Sequence, residues 1–141
     1  VILCGRSLGT VAAINTAMDK QVAGLILVTP LTSAKACAQA YGFGPVAVIA
    51  GSAFNNIGKI DQITCPILVI HGTNDSIIPF AMGKAIYDKA AVEKRFVKIQ
   101  GAGHNDLSDV YHDMYWPPIR QFIGQLRIND GQAHTASDMK N

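Results

Sequence analysis

Three apolar, β-branched stretches bounded by glycine or proline, at residues 1–4, 22–28 and 67–70, read as strands buried on both faces. A fourth, at 96–99, alternates apolar with charged positions and reads as a more exposed strand. Between them the period changes. Val11, Ile14 and Met18 share one face of a helix predicted over 8–18, and Met82, Ile86 and Ala90 share one over 80–91. Strand and helix take turns, which predicts βαβ crossovers and a parallel sheet with helices on both faces. A last helical pattern over 111–126 sets Tyr111, Met114, Tyr115, Ile119, Phe122, Ile123 and Leu126 at mostly three- and four-residue steps. Pro117-Pro118 within it is expected to break or kink the helix, because neither ring nitrogen donates a hydrogen bond and each ring crowds the preceding turn.

Over 41–59 the periodicity fails, and Gly42, Gly44, Pro45, Gly51 and Gly58 punctuate mixed apolar and small residues. Connections ordinarily run ~4–6 residues, so a longer excursion is more often functional or mobile than idle. Residues 129–141 lack large apolar side chains except Met139 and read as a frayed polar tail. The expected organisation is one unit over 1–128, with an irregular, cap-like excursion at 41–59 and a tail at 129–141.

Composition narrows the function classes. With 49% hydrophobic and 16% charged residues in 141, the chain can form one core and is neither fibrous nor disordered. Twelve lysines and arginines against ten acids give a net charge of +2, and the basic residues are scattered from Arg6 to Lys140. No basic stripe forms, so nucleic acid is not expected as a partner. Apolar runs such as 25–28 and 66–70 fall far short of the ~20 residues of a membrane-spanning helix. Cys4, Cys37 and Cys65, odd in number and without C-x-x-C spacing, read as reduced thiols of an intracellular protein. No stretch has the build of a signal peptide, and because the sequence opens inside an apolar run without Met, the natural N-terminus is expected upstream. The strand at 1–4 would then be central in the complete sheet and an edge in this chain.

Chemistry enters at three loops. Gly5-Arg6-Ser7-Leu8-Gly9 matches G-x-S-x-G directly after a predicted strand and before a predicted helix, the setting of a nucleophile elbow. A serine there sits on a sharp turn at the C-terminal edge of the sheet, and Gly5 and Gly9 are expected to leave room for the close strand-to-helix approach. Asp75 follows the third strand through Gly72-Thr73-Asn74, which brings a carboxylate to the same edge. His104, after Gly101-Ala102-Gly103, follows the fourth strand and brings an imidazole there too. Each residue alone has a plainer reading: a glycine-rich turn, a turn-forming aspartate, a solvated loop histidine. Together they stand in the order Ser, Asp, His, each after its own strand, as a triad on this architecture requires. Asp106 is expected to begin the helix that follows. His71, His112 and His134 read as structural or exposed. The backbone N–H of Leu8, opening the first helix, is the expected oxyanion donor. No cluster has metal-ligand spacing and no glycine pattern cradles phosphate, so neither metal nor cofactor is expected.

With these residues in view, the chain resembles α/β-hydrolases, and in particular the α/β-hydrolase domain-containing protein 17 family, whose members are protein depalmitoylases. The likeness runs from Val1 to about Leu126 through Gly-Arg-Ser-Leu-Gly-Thr at 5–10, Thr-Pro-Leu-Thr-Ser at 29–33, Phe-Asn-Asn-Ile at 54–57, Pro-Ile-Leu-Val-Ile-His-Gly-Thr-Asn-Asp at 66–75 and Gly-Ala-Gly-His-Asn-Asp at 101–106. It implies the C-terminal half of an α/β-hydrolase fold whose first strands, and a loop with a second oxyanion donor, lie upstream of Val1. It also implies a thioesterase acting on S-acylated cysteines or acylated small molecules, with the triad on Ser7, Asp75 and His104. A lipidated upstream segment would give a cytoplasmic protein peripheral access to membranes; the irregular excursion, read from the residues themselves, is expected to cap the acyl site over 41–53. A carboxylesterase or serine peptidase of the same fold, and a non-catalytic interaction domain that kept the fold, remain alternatives.

Overall fold

The alternation of strand and helix is realised as one parallel sheet. The computed structural model describes residues 1–40 and 54–138, with side chains described as far as Ile128. Along it run β1 (Ile2–Arg6), α1 (Gly9–Asp19), β2 (Gly24–Val28), α2 (Ala34–Ala40), a 3-10 turn (Ile60–Gln62), β3 (Ile67–Gly72), α3 (Phe80–Lys89), β4 (Lys94–Ile99) and α4 (His112–Asp138). The expected cap over 41–53 lies outside the described residues.

The strands stand in the order β1-β2-β3-β4, each pair parallel. Arg6, Val28, Ile70 and Val97 form one row across them, so all four strands end at the same edge. The crossovers through α1 and α3 advance across the sheet in the same direction, and right-handed crossovers then put both helices on one face. There Ala13, Ile14 and Ala17 of α1 and Ile86 of α3 pack with Leu25, Leu27, Ile67 and Val69. Tyr115, Ile119, Phe122 and Leu126 of α4 cover the opposite face, over Ile26, Val28, Leu68 and Ile70. β2 and β3 are therefore buried along their whole length and show no alternation, whereas β1 and β4 are partly open. Each fully buried Leu or Ile contributes about 1.5–3 kcal/mol relative to exposure, and this two-sided core fixes the strand ends on which the loops are built.

Two expectations differ from the structure, and one element goes unforeseen. Pro117 and Pro118 lie inside α4, which continues through them. The backbone acceptors they forfeit belong to Asp113 and Met114, on a solvent-exposed stretch of the helix where water can replace the bond. The helix also extends to Asp138, past the point where its apolar pattern ends, since backbone bonding does not require an apolar face. Finally, α2 goes unforeseen, because Ala-Lys-Ala-Cys-Ala-Gln-Ala has no large apolar residue to mark a period.

Candidate active site

β1 ends on Arg6, and the next residue, Ser7, has a positive φ of 53°. A non-glycine residue rarely occupies that region, and such strain persists only where neighbours hold it. Here the Ser7 N–H donates to the Val28 carbonyl at 2.9 Å, while the Thr10 N–H and hydroxyl both donate to the Ser7 carbonyl at 3.0 and 2.6 Å. The serine is thus pinned between the sheet and the first turn of α1. A Cβ on Gly5 would lie 2.6 Å from the Gly9 carbonyl oxygen and 2.8 Å from both Thr10 Cα and Ala13 Cβ. Gly9 itself would meet nothing within 4 Å, so the need for space holds at Gly5 and not at Gly9. Gly5→Ala is expected to destabilise the fold by roughly 1–3 kcal/mol through this overpacking, measured as a lower urea midpoint with an unchanged slope.

The Asp75 and His104 loops are laced together before their side chains meet. The Thr73 N–H donates to the Ile99 carbonyl at 3.0 Å, the Asn74 N–H to the Ala102 carbonyl at 2.9 Å, and the Gly101 N–H to the Thr73 hydroxyl at 2.8 Å. Gly72 permits this, because a Cβ there would stand 2.3 Å from the Ala102 oxygen. His104 Nδ1 then donates to Asp75 Oδ2 at 2.8 Å, with the residues only 9% and 8% exposed. Asp75 Oδ1 accepts the N–H groups of Ile77 and Ile78 at 2.9 and 2.7 Å, so the same carboxylate also shapes its turn. Burial alone would raise the Asp75 pKa, but donors from His71, Ile78, His104 and Ile77 outweigh it and hold the carboxyl at about 2.

Two residues have roles that spacing did not reveal. Arg6, the variable position of the serine motif, donates from its guanidinium to the His104 carbonyl at 2.6 Å and to Asn105 Oδ1 at 3.3 Å, tying the histidine loop to the elbow. Asp106 Oδ1 accepts the Gly103 N–H at 2.8 Å and its carbonyl accepts from Val110 and Tyr111. α4 starts only at His112, so Asp106 closes the His104 loop and does not begin the helix. Among the described residues no hydrogen bond joins the Ser7 hydroxyl to the His104 ring; bonds of this kind often close only around substrate. The Leu8 N–H has no hydrogen-bond partner among the described residues, at the N-terminus of α1 where the helix dipole is positive.

Beside Ser7 opens a cleft of about 330 Å³ lined by Ser7, Leu8, Leu31, Ala34, Cys37, Ala38, Ile77 and Ile78. Its wall depends on Thr29, a buried β-branched residue held at φ 47°, which turns the chain out of β2 toward Leu31. Asn56 braces it, donating to the Leu31 carbonyl at 3.0 Å and the Thr10 hydroxyl at 3.4 Å. Burial, then the nearby Asp75 charge, push the Cys37 thiol pKa up, so it lines the cleft as a neutral group. A depression of about 440 Å³ lined by Gln21 to Ala23 and Thr64 to Pro66 lies at the opposite, N-terminal edge of the sheet, whereas open α/β sheets bind ligands beyond the carboxyl ends of their strands.

Among the described residues no group of three or more His, Cys, Asp or Glu is arranged to hold a metal. No described helix is long and apolar enough to cross a membrane. Cys4, Cys37 and Cys65 are free thiols. His71 is buried and His112 is exposed beside Asp113; the His134 side chain lies outside the described ones.

Known proteins share both sequence and architecture with this chain. The serine hydrolase family profile matches residues 1–125. α/β-Hydrolase domain-containing protein 17B of Homo sapiens is 36% identical over 134 residues, covering 92% of this chain and 43% of its own length. α/β-Hydrolase domain-containing protein aho-3 of Caenorhabditis elegans is 37% identical over 123 residues, covering 87% and 36%. The chain thus spans less than half the length of these curated relatives. Among solved structures, the esterase domain of a Rhodothermus marinus protein superposes with a TM-score of 0.68 at 16% identity, over 89% of this chain and 60% of that one. A monoacylglycerol lipase of Paleococcus ferrophilus does so with 0.60 at 18% identity, over 89% and 67%. At such identities the likeness shows the fold, and the fold is that of α/β-hydrolases.

Proposed function

Because the chain belongs to the serine hydrolase family, we propose that it cleaves acyl thioesters and esters through Ser7, His104 and Asp75, with long-chain S-acylated cysteine as the favoured substrate. The observation that carries this reading is the 2.8 Å Asp75–His104 pair, held at the same sheet edge as a strained serine that opens onto an apolar cleft.

In this mechanism Asp75 holds the proton on His104 Nδ1, which leaves Nε2 with a lone pair. Nε2 takes the Ser7 proton as Oγ bonds to the acyl carbonyl carbon, and the carbonyl electron pair moves onto oxygen. The Leu8 N–H, backed by the dipole of α1, faces that oxyanion. When the tetrahedral intermediate collapses, the carbon–sulfur or carbon–oxygen bond breaks and the imidazolium returns its proton to the leaving group. Water, deprotonated by the same imidazole, then releases the fatty acid from Ser7.

The cleft favours an aliphatic acyl chain, since its lining offers little beyond methyl, methylene and neutral thiol groups. Relatives named for protein 17 of the α/β-hydrolase domain-containing series add weight to a lipidated protein substrate. The same reading has the protein act in the cytoplasm and reach membranes only peripherally. Ala34 and Ala38 lie on one face of α2 at the cleft wall, so a larger side chain there shortens the space. With Ala38→Phe, kcat/KM for a decanoyl thioester is expected to fall on the order of 10- to 100-fold, about the worth of two or three methylenes removed from contact. Acetyl ester turnover should stay within about threefold. The measurement is a chain-length series with matched oxo- and thioesters. A profile unmoved by the substitution would exclude the cleft as the acyl site, and wild-type turnover of short oxoesters alone would exclude the depalmitoylating reading.

A further inference from the structure

The mechanism leaves the fully buried imidazole of His71, on β3, unused. Its ring is wedged between α3 and the Asp75 loop. On one side Phe80 meets it edge-on at 5.7 Å, and Gly83 lies so close that a Cβ would come within 2.1 Å of Nδ1. On the other side Nε2 is 3.0 Å from the Ile78 carbonyl oxygen and 3.5 Å from Asp75 Oδ2. A carbonyl can only accept, so Nε2 carries the hydrogen, and Nδ1 is left as a buried acceptor with no partner among the described residues.

Packing alone does not account for this arrangement. A buried, unpaired ring nitrogen is a cost that leucine or methionine would not carry. What the imidazole supplies, and an apolar side chain cannot, is a donor bonded to the Ile78 carbonyl and standing 3.5 Å from the same Oδ2 that accepts from His104. We infer that His71 is a positioning residue for Asp75: its Nε2–H fixes the carboxylate, and the Ile77–Ile78 turn beside it, in the orientation that steers His104. This rests on the proposed Ser7–His104–Asp75 mechanism. The low Asp75 pKa is consistent with it, since His71 is among the donors that overcome burial there.

A pH effect follows with a definite sign. The groups facing Asp75 are His71 from β3, His104 from its loop, the Ile77 and Ile78 N–H groups of its own turn, and the Cys37 thiol of α2. Deleting this donor leaves the carboxylate less stabilised and more basic. It then holds the His104 imidazolium more firmly, so the acid limb of the kcat/KM profile moves to higher pH.

The test compares His71→Leu, which removes the donor, with His71→Gln, whose amide can present an N–H at a similar reach. For a short-chain aryl ester, His71→Leu is expected to lower kcat roughly tenfold, the worth of one hydrogen bond to a charged group. Its acid limb should rise by about half a pH unit or more, with KM little changed. His71→Gln should recover most of the rate and the original limb. Should His71→Leu fail to fold, Gly83→Ala serves instead: it keeps the imidazole but displaces it, and the limb should move the same way. An unmoved limb in a folded, slower variant, or a Gln variant no better than Leu, would overturn the positioning role and leave His71 a core residue. A wild-type protein that neither turns over ester nor reacts with a fluorophosphonate would instead bring down the triad reading, and this inference with it.

Discussion

Ser7→Ala is expected to remove fluorophosphonate labelling entirely and to lower ester and thioester turnover by at least ~10⁴-fold, with little change in stability. The size follows from the proposed role: without Oγ no acyl-enzyme would form, and loss of a nucleophilic serine in such a unit costs about as much as loss of the whole unit. Stability should be spared, since the bonds that pin the elbow use the Ser7 backbone N–H and carbonyl and not its hydroxyl. Among the described residues no neighbour is placed to take over. Cys37 lines the same cleft, but burial and the Asp75 charge keep its thiol protonated and poorly nucleophilic. Mass spectrometry of the labelled protein makes the site explicit. Labelling that survives in the alanine variant, or turnover above about a hundredth of wild type, would move the nucleophile elsewhere.

How much of this was legible in the sequence depends on the range of the contact. β2 and β3 stand out because sequestering both faces demands unbroken apolar runs, and the four strand ends follow once the crossovers are read. The convergence of the Ser7, Asp75 and His104 loops could be anticipated for the same reason: a parallel sheet carries every such loop to one edge. Where structure depends on backbone geometry or on distant partners, no local pattern exists. Arg6 meets the His104 loop across 98 positions of chain, and Thr29 takes its strained φ only because β3 receives its N–H. The seven residues of α2 are too small and uniform to show a period, yet they build a wall of the cleft. Asp106 carries the sequence signature of a helix start but spends its carboxylate on Gly103, because the loop it closes must come before α4 can begin.

Asp75→Asn should be nearly as damaging to activity as loss of the serine, with kcat lower by about 10⁴-fold, and for a reason of proton placement. Oδ1 accepts two backbone N–H groups, from Ile77 and Ile78, so the amide of an asparagine must put its oxygen there and its NH₂ on the Oδ2 side. That NH₂ would face the His104 Nδ1–H at 2.8 Å, donor against donor. The imidazole escapes by moving its proton to Nε2, and an Nε2 that bears a proton cannot accept one from Ser7. The same substitution has a stability signature with a fixed sign. The folded Asp75 pKa, about 2, lies below its ordinary 3.8, so the unfolded chain binds this proton more tightly. The carboxylate's contribution, on the order of 2 kcal/mol, is present above about pH 4 and fades as pH falls through 2. Urea unfolding of wild type and Asp75→Asn should therefore show a stability gap at pH 6 that narrows by about that amount near pH 2. A gap that stays constant across that window would mean that the folded carboxylate is not held in its charged form by the surrounding donors.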